Sequence, residues 1–329
     1  MPASCKLALM NAQIFVEDWD PSYDSPYQVE EDEIYPTEDA RIVEDGGHME
    51  FHPGVSANLK LVFVDGIRRI EGGVYHSDEN GETASGLAGV YAVGSVVSEA
   101  GEATFGPNIV KRVLIWPDGI SASLGEVGMW RWEMLSTTEP GRNGLSEALQ
   151  DAMRGEEATL AKKMIASGGV VILDGPLTNV KGMKWGSVGY IKTHHQRPVS
   201  LPDWQVVARL PTGNRTSLFA PKSDIYSCYI RLATPGPISG PYSGIARLEI
   251  PAEHGLDGAQ ELATLMAGTL PRLAGRAIKD PRAPQNLEPI GALEQKLRHD
   301  LGDIGLANRA LRQAAANLRI EKESSWIVQ

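Results

Sequence analysis

The sequence has only two cysteines, Cys5 and Cys228, and neither belongs to a C-x-x-C pair. That excludes a disulfide framework and a thiolate metal site, and it fits a reducing compartment. No run approaches the ~18 apolar residues of a membrane-spanning helix. The first residues, MPASCKLALM, lack the apolar core of a secretory leader, so a cytoplasmic protein without membrane attachment is expected. Positive charge is in deficit: 31 lysines and arginines against 42 aspartates and glutamates give a net charge of −11. Such a chain is not a basic nucleic-acid binder overall, although binding needs only a local basic strip. There is no G-x-x-x-x-G-K-[ST] loop and no G-x-S-x-G elbow, which counts against a P-loop enzyme and a serine hydrolase. No fixed-period repeat and no long low-complexity linker divides the chain.

What is present is ordinary globular composition, 42% hydrophobic and 22% charged over 329 residues. That suffices for one elaborated α/β domain or for two domains. Residues 1–58 read as an irregular acidic arm, through VEDWDPSYDSP and VEEDEIYPTED, with one short strand at AQIFVE. From residue 59 the pattern changes. LKLVFVD is apolar on both faces after Lys60, as in a covered central strand. RIEGGVYHSDENGETASGLAGVYAVGSVV reads as two strands around a turn near Glu79–Gly81, and IVKRVLIW as another strand. Residues 144–167 are the clearest helix, weakened at Gly155. GVVILDG, VGYIKTHHQ, WQVVARL, YSCYIRLA and GIARLEIP read as strands, and helices over 257–274 and 285–318 close the chain.

Two strands carry the same phrase: LVFVDGIRR places Asp65, and VVILDGPL places Asp174, at a strand end before a glycine. A long crossover between two such strands sets them parallel in one sheet, with both carboxyl ends at the edge where α/β sheets bind ligands. On the intervening helix, Met153, Glu157, Leu160 and Met164 form one stripe at ~100° per residue, and Glu157 is its only acid. Glu156 sits farther round, and an error of one residue in phase exchanges the two. Converging carboxylates repel, and divalent cations relieve that repulsion; oxygen donors suit Mg²⁺ or Mn²⁺. The competing reading of each DG is a plain turn, a common use of aspartate and glycine.

The ordered set FVDGIRR, RGEEATLA, VILDGPL, GYIKTHH, ARLEIP and DPRAPQNLEPIGALEQKLRHDLGD resembles the NurA nuclease family over roughly residues 59–302. The resemblance implies a ribonuclease H-like α/β fold, a mixed sheet flanked by helices; the acidic arm before it and a C-terminal helical tail over 303–329 lie outside the likeness. It implies a Mn²⁺- or Mg²⁺-dependent DNA nuclease that works as a homodimer with a HerA-type hexameric DNA-translocating ATPase, in repair, end processing or defence. Asp65, Glu157 and Asp174 would hold the metal, and Lys192 would meet the scissile phosphate or attacking water. Arg247 and Glu249 are secondary members of the site. The histidine of some archaeal members has no counterpart, since GALEQ carries Leu293 there.

Cations cluster after each of the site strands: Arg68 and Arg69, then Lys181 and Lys184, then Lys192, His194, His195 and Arg197. On one sheet edge they would form a phosphate-binding rim, with Trp185 as a base-stacking residue. Arg272, Arg276, Lys279 and Arg282 are either a further DNA contact or cations favoured at a helix C-terminus. The alternatives are an actin-like phosphotransferase or ATPase and an inert scaffold for a partner ATPase.

Overall fold

The computed structural model describes residues 40–77, 82–139, 141–177, 186–194, 197–237 and 239–327, with side chains as far as residue 318. The AQIFVE strand, the turn near Glu79–Gly81, Lys181, Lys184, Trp185 and His195 lie outside the described residues. In chain order the elements are β1 (Arg41–Ile42), β2 (Phe51–Pro53), β3 (Leu61–Ser77), β4 (Thr83–Glu99), β5 (Glu102–Pro117), β6 (Glu133–Thr137), α1 (Gly141–Ala166), β7 (Val170–Asp174) and β8 (Ser187–Ile191). There follow α2 (Leu201–Val207), β9 (Asn214–Thr216), β10 (Phe219–Lys222), β11 (Ile225–Arg231), β12 (Ile245–Pro251), α3 (Gly255–Thr269), α4 (Glu288–Asp300) and α5 (Ile304–Ile327). Among the described residues no helix is long and apolar enough to cross a membrane.

The described residues fall into two compact units. The first comprises 59–174, 186–187 and 289–327; the second comprises 40–58, 175–177 and 188–288. The stretch 59–302, expected as one block, therefore contributes to both.

The first unit is a mixed sheet flanked by helices. β3, β4 and β5 form an antiparallel meander, while β7 runs parallel to β3 and β6 parallel to β5. Strand alternation divides its side chains between two helical layers. Gly66 and Gly89 face α1, where a Cβ at either would meet Met153 or Leu149. Val90, Ala92 and Val96 of β4, with Ile67 of β3, pack on Leu293 and Leu297 of α4. Ala88, Leu114 and Trp116 pack on Ala310, Leu311 and Ala314 of α5.

β3 corrects the expectation of a strand that stops at Asp65. It continues for 17 residues to Ser77, pairing with β4 throughout. The DG here is not a turn. Gly66 stands mid-strand because α1 lies so close that a Cβ would come within 2.9 Å of the Met153 Cγ. At Asp174 the strand does end, and Gly175 takes a φ of +115° that a side chain would strain.

In the second unit, β1, β10, β11, β12 and β8 pair antiparallel in that order, and β9 links β11 to β2. Residues 40–58, read as the end of an irregular arm, thus carry two short paired strands. WQVVARL, read as a strand, lies mostly in α2. Ser200 caps that helix, accepting from the Asp203 N–H at 3.3 Å, and Pro202 presets its first turn. The long closing helix divides into α4 and α5 at Gly302, whose φ is +75°. Asp303 then caps α5 by accepting from the Leu306 N–H at 2.8 Å.

A buried ion pair ties the start of the second unit to its sheet. Arg215 donates to both carboxylate oxygens of Glu44, at 2.7 and 2.9 Å, and the Leu218 N–H adds a third bond at 2.8 Å. Burial raises the Glu44 pKa, but these hydrogen bonds more than offset it, so the net shift is downward from 4.5. A depressed carboxyl contributes stability above its unfolded value that is lost as pH falls through the folded one. Glu44→Gln should cost about 3 kcal/mol at pH 7, because Arg215 keeps a buried charge. Urea melts should also show a shallower loss of stability below pH 4.5 than in the wild type; equal slopes would show that this pair does not govern acid unfolding.

Candidate metal centre

The register of two strands creates the site. Leu61–Val64 of β3 lie opposite Val170–Leu173 of β7 in parallel, so the next residues, Asp65 and Asp174, stand side by side. Ile67 packs toward α4, and alternation turns Asp65 to that same face. There α4 presents Ile290, Leu293 and Leu297 as a buried stripe, with Glu294 among them. One carboxylate oxygen from each of Asp65, Asp174 and Glu294 lies within 4.8 Å of the other two. Asp65 and Glu294 are only 7% and 6% exposed, while Asp174 is half-buried.

Three ionised carboxylates at this spacing repel by roughly 3–4 kcal/mol per pair at an effective dielectric of about 20. That is a large share of a domain's net stability, about 5–15 kcal/mol. The cluster therefore calls for protons or a cation. Around an octahedral ion with bonds of about 2.1 Å, adjacent oxygen donors are about 3.0 Å apart and only opposite ones about 4.2 Å. The trio's oxygens lie within 4.8 Å of one another, so the side chains would close in to share one ion, and the all-oxygen donor set suits Mg²⁺ or Mn²⁺.

Glu157 approaches from the opposite layer. Its Oε1 occupies the space where residue 66 would carry a Cβ, so the glycine beside Asp65 is the opening through which this acid reaches the sheet. It lies outside the close trio. Burial of its carboxyl, and then the charge of Asp174, push its pKa up to about 8, against the pull of Arg154. The phase of α1 is resolved: Glu156 points elsewhere and pairs with Lys111 at 3.0 Å.

The expected cations are more committed than a free rim would be. Arg68 donates to Gln150 of α1. Arg69 bonds the carbonyls of Gly302 and Leu301 and the carboxylate of Glu71. In the second unit, the Lys192 Nζ donates to Asn286 Oδ1 at 3.0 Å, and Asn286 is braced by Asp280 at 2.6 Å. His194 is bonded to the Ile245 carbonyl and set edge-on against Trp204 and Tyr229. Arg247 and Glu249 are buried partners 3.2 Å apart, and Glu249 also accepts from the Leu177 N–H. Arg272 bonds the Ala57 carbonyl, Arg276 and Lys279 pair with Glu288, and Arg282 pairs with Asp280.

Glu294 is the residue that sequence reasoning passed over. The signal was available: it is an acid within the apolar stripe 290–293–297, the same criterion that singles out Glu157 on α1.

If Gly66 exists to admit Glu157, then Gly66→Ala should cost about 1–3 kcal/mol through overpacking. In a Glu157→Ala background the same change should cost less than half as much, since the displaced oxygen is gone. Urea melts of the four proteins check this; strictly additive costs would mean that Glu157 does not need the space.

Comparison with curated proteins finds no match. Among solved structures, the chain is similar to the NurA nuclease from Sulfolobus solfataricus, at 12% identity and a TM-score of 0.42, over 82% of this chain and 88% of that one. It is also similar to Ciona intestinalis endonuclease V in complex with a 24mer DNA containing an inosine followed by a ribo-adenosine, at 11% identity and a TM-score of 0.35, over 75% and 87%. The NurA domain family matches residues 111–290, a stretch that includes Glu157 and Asp174 but neither Asp65 nor Glu294. With more than half of its length matched, this chain belongs to the NurA domain family.

Proposed function

We propose that the protein is a divalent-metal-dependent DNA nuclease that hydrolyses phosphodiester bonds. The observation that carries this reading is the trio Asp65–Asp174–Glu294 at one level of the sheet, in a chain of the NurA family. The order β5–β4–β3–β7 with α1 as the crossover supports a ribonuclease H-like core. The same trio counts against an inert scaffold, because three carboxylates held this close are an oxygen-donor set suited to a divalent cation.

In this reading Asp65, Asp174 and Glu294 hold Mn²⁺ or Mg²⁺, and Glu157 borders the site from the α1 side. When bound, the metal lowers the pKa of a coordinated water and neutralises the charge on the departing oxygen. The carboxylates then serve as ligands, so no separate side-chain base is needed. Lys192, held by Asn286, is proposed as a phosphate contact, with Arg68, Arg69, Lys181, Lys184, His194, His195 and Arg247 as further substrate contacts. Lys181, Lys184 and His195 keep that role as a proposal from sequence alone. Action as a homodimer with a HerA-type hexameric ATPase rests on the same family likeness. The overall acidity would confine DNA to a local path.

The test uses labelled linear and circular DNA with Mn²⁺, Mg²⁺ or EDTA, with and without a co-purified ATPase. Cutting should require the metal. Asp65→Ala, Asp174→Ala and Glu294→Gln should each lower the rate by at least ~100-fold, more than loss of an outer-shell group typically does, while DNA binding persists. Native-rate cutting by Asp65→Ala, or full activity in EDTA, would sink the proposal.

A further inference from the structure

The end of α4 is gripped by two arginines, Arg69 of β3 and Arg112 of β5. Arg69 of β3 donates to the Gly302 carbonyl at 2.8 Å and the Leu301 carbonyl at 3.3 Å. Arg112 of β5 donates to the same Leu301 carbonyl at 2.7 Å. These carbonyls terminate the helix, where its dipole is negative and carbonyls lack helical partners. Glu71, 3% exposed, sits between the guanidiniums, 2.9 Å from Arg69 and 3.6 Å from Arg112. The Arg112 guanidinium also lies 4.1 Å from the centre of the Trp130 ring. Asn108 of β5 reaches Asp300 at 2.7 Å from the side.

Geometry links this grip to the site. Asp65 and Arg69 lie four residues apart on β3, about 13 Å. Glu294 and Leu301 lie seven residues apart at the α4 end, about 10 Å of helix. The helix is thus attached to the strand at two levels, one through the clamp and one through the carboxylates. A slip of α4 by a single residue would carry Glu294 about 1.5 Å along its axis, a large fraction of a metal–oxygen bond. Apolar packing on Leu293 and Leu297 does not fix that coordinate by itself, since it is non-directional. Directed charge-assisted hydrogen bonds do.

We infer that Arg69, Arg112 and Glu71 form a positioning clamp that sets the axial register of α4 against β3 and so holds the Glu294 carboxylate beside Asp65 and Asp174. Glu71 is the keystone, because without it two half-buried guanidiniums would face each other. The inference rests on Glu294 being an ion ligand, as proposed above.

The experiment measures Mn²⁺ affinity by calorimetry on the full chain, with circular dichroism confirming that each variant is folded. Glu71→Gln and Arg112→Met should each weaken Mn²⁺ binding roughly tenfold, as loss of outer-shell support does. Arg112→Lys, which keeps a cation on the Leu301 carbonyl, should recover most of that loss. Val113→Ala, next on the same strand but facing the other layer, reports general loosening and should bind within about twofold of the wild type, well below the outer-shell effect. Glu294→Gln reports the ligand itself. If Glu294→Gln weakens binding and the clamp variants do not, the clamp is wrong and the ligand assignment stands. If Glu294→Gln binds as the wild type does, the ligand assignment fails and the inference falls with it. If Val113→Ala loses as much affinity as the clamp variants, the effect is mere destabilisation and the positioning role is overturned.

Discussion

The pairing of β3 with β7 is the constraint on which the rest of the first unit depends. Parallel register from Leu61↔Val170 to Val64↔Leu173 puts two aspartates abreast. Like charges so placed oppose folding, and the fold must compensate. A third acid, Glu294 of α4, joins them, with Arg298 one turn farther along the helix 3.8 Å from its carboxylate. A third acid beside two others makes an all-oxygen donor set of the kind that suits a divalent cation.

Helices from two layers serve this one point. α1 delivers Glu157 through the gap left by Gly66, and α4 delivers Glu294 along the opposite face. A sheet normally separates what lies above it from what lies below. Here the gap at residue 66 admits Glu157 to the sheet, where burial and then the charge of Asp174 raise its pKa. The second unit follows a different economy. Two of its buried ion pairs are Glu44 with Arg215 and Arg247 with Glu249, and its buried Arg231 is held by backbone carbonyls.

Much of this was legible in the sequence. The apolar runs marked β3 and β7, and the single acid in the α1 stripe marked Glu157. Three things were not legible, for identifiable reasons. A DG dipeptide signals a turn locally, but at Asp65 a tertiary contact with Met153 and Glu157 explains the glycine instead. WQVVARL alternates like a strand, yet Ser200, Pro202 and Asp203 start a helix, and capping prevailed over alternation. Glu294 stands beside Leu293, the position that aligns with the family histidine, and its signal lies in the apolar periodicity of α4 rather than in residue identity. The cations at Arg69 and His194 show the opposite limit: charge clusters in sequence do not reveal which members are already bound to carbonyls.

Glu71 has a further consequence through its place in β3. The ladder pairs Ile70 with Gly89 and Gly72 with Ala88, leaving Glu71 as an inserted residue. A β-bulge of this kind inverts the parity of everything after it. Before it, even-numbered residues such as Gly66 look toward α1; after it, Gly72 looks toward Leu311 of α5 and Val74 joins the α5 cluster. One supernumerary residue therefore lets a single continuous strand serve two helical neighbours with opposite phase. A frame of seventeen residues behaves as two shorter ones joined by a half-step, and shortening it by one would leave α5 facing the wrong edge of the pleat.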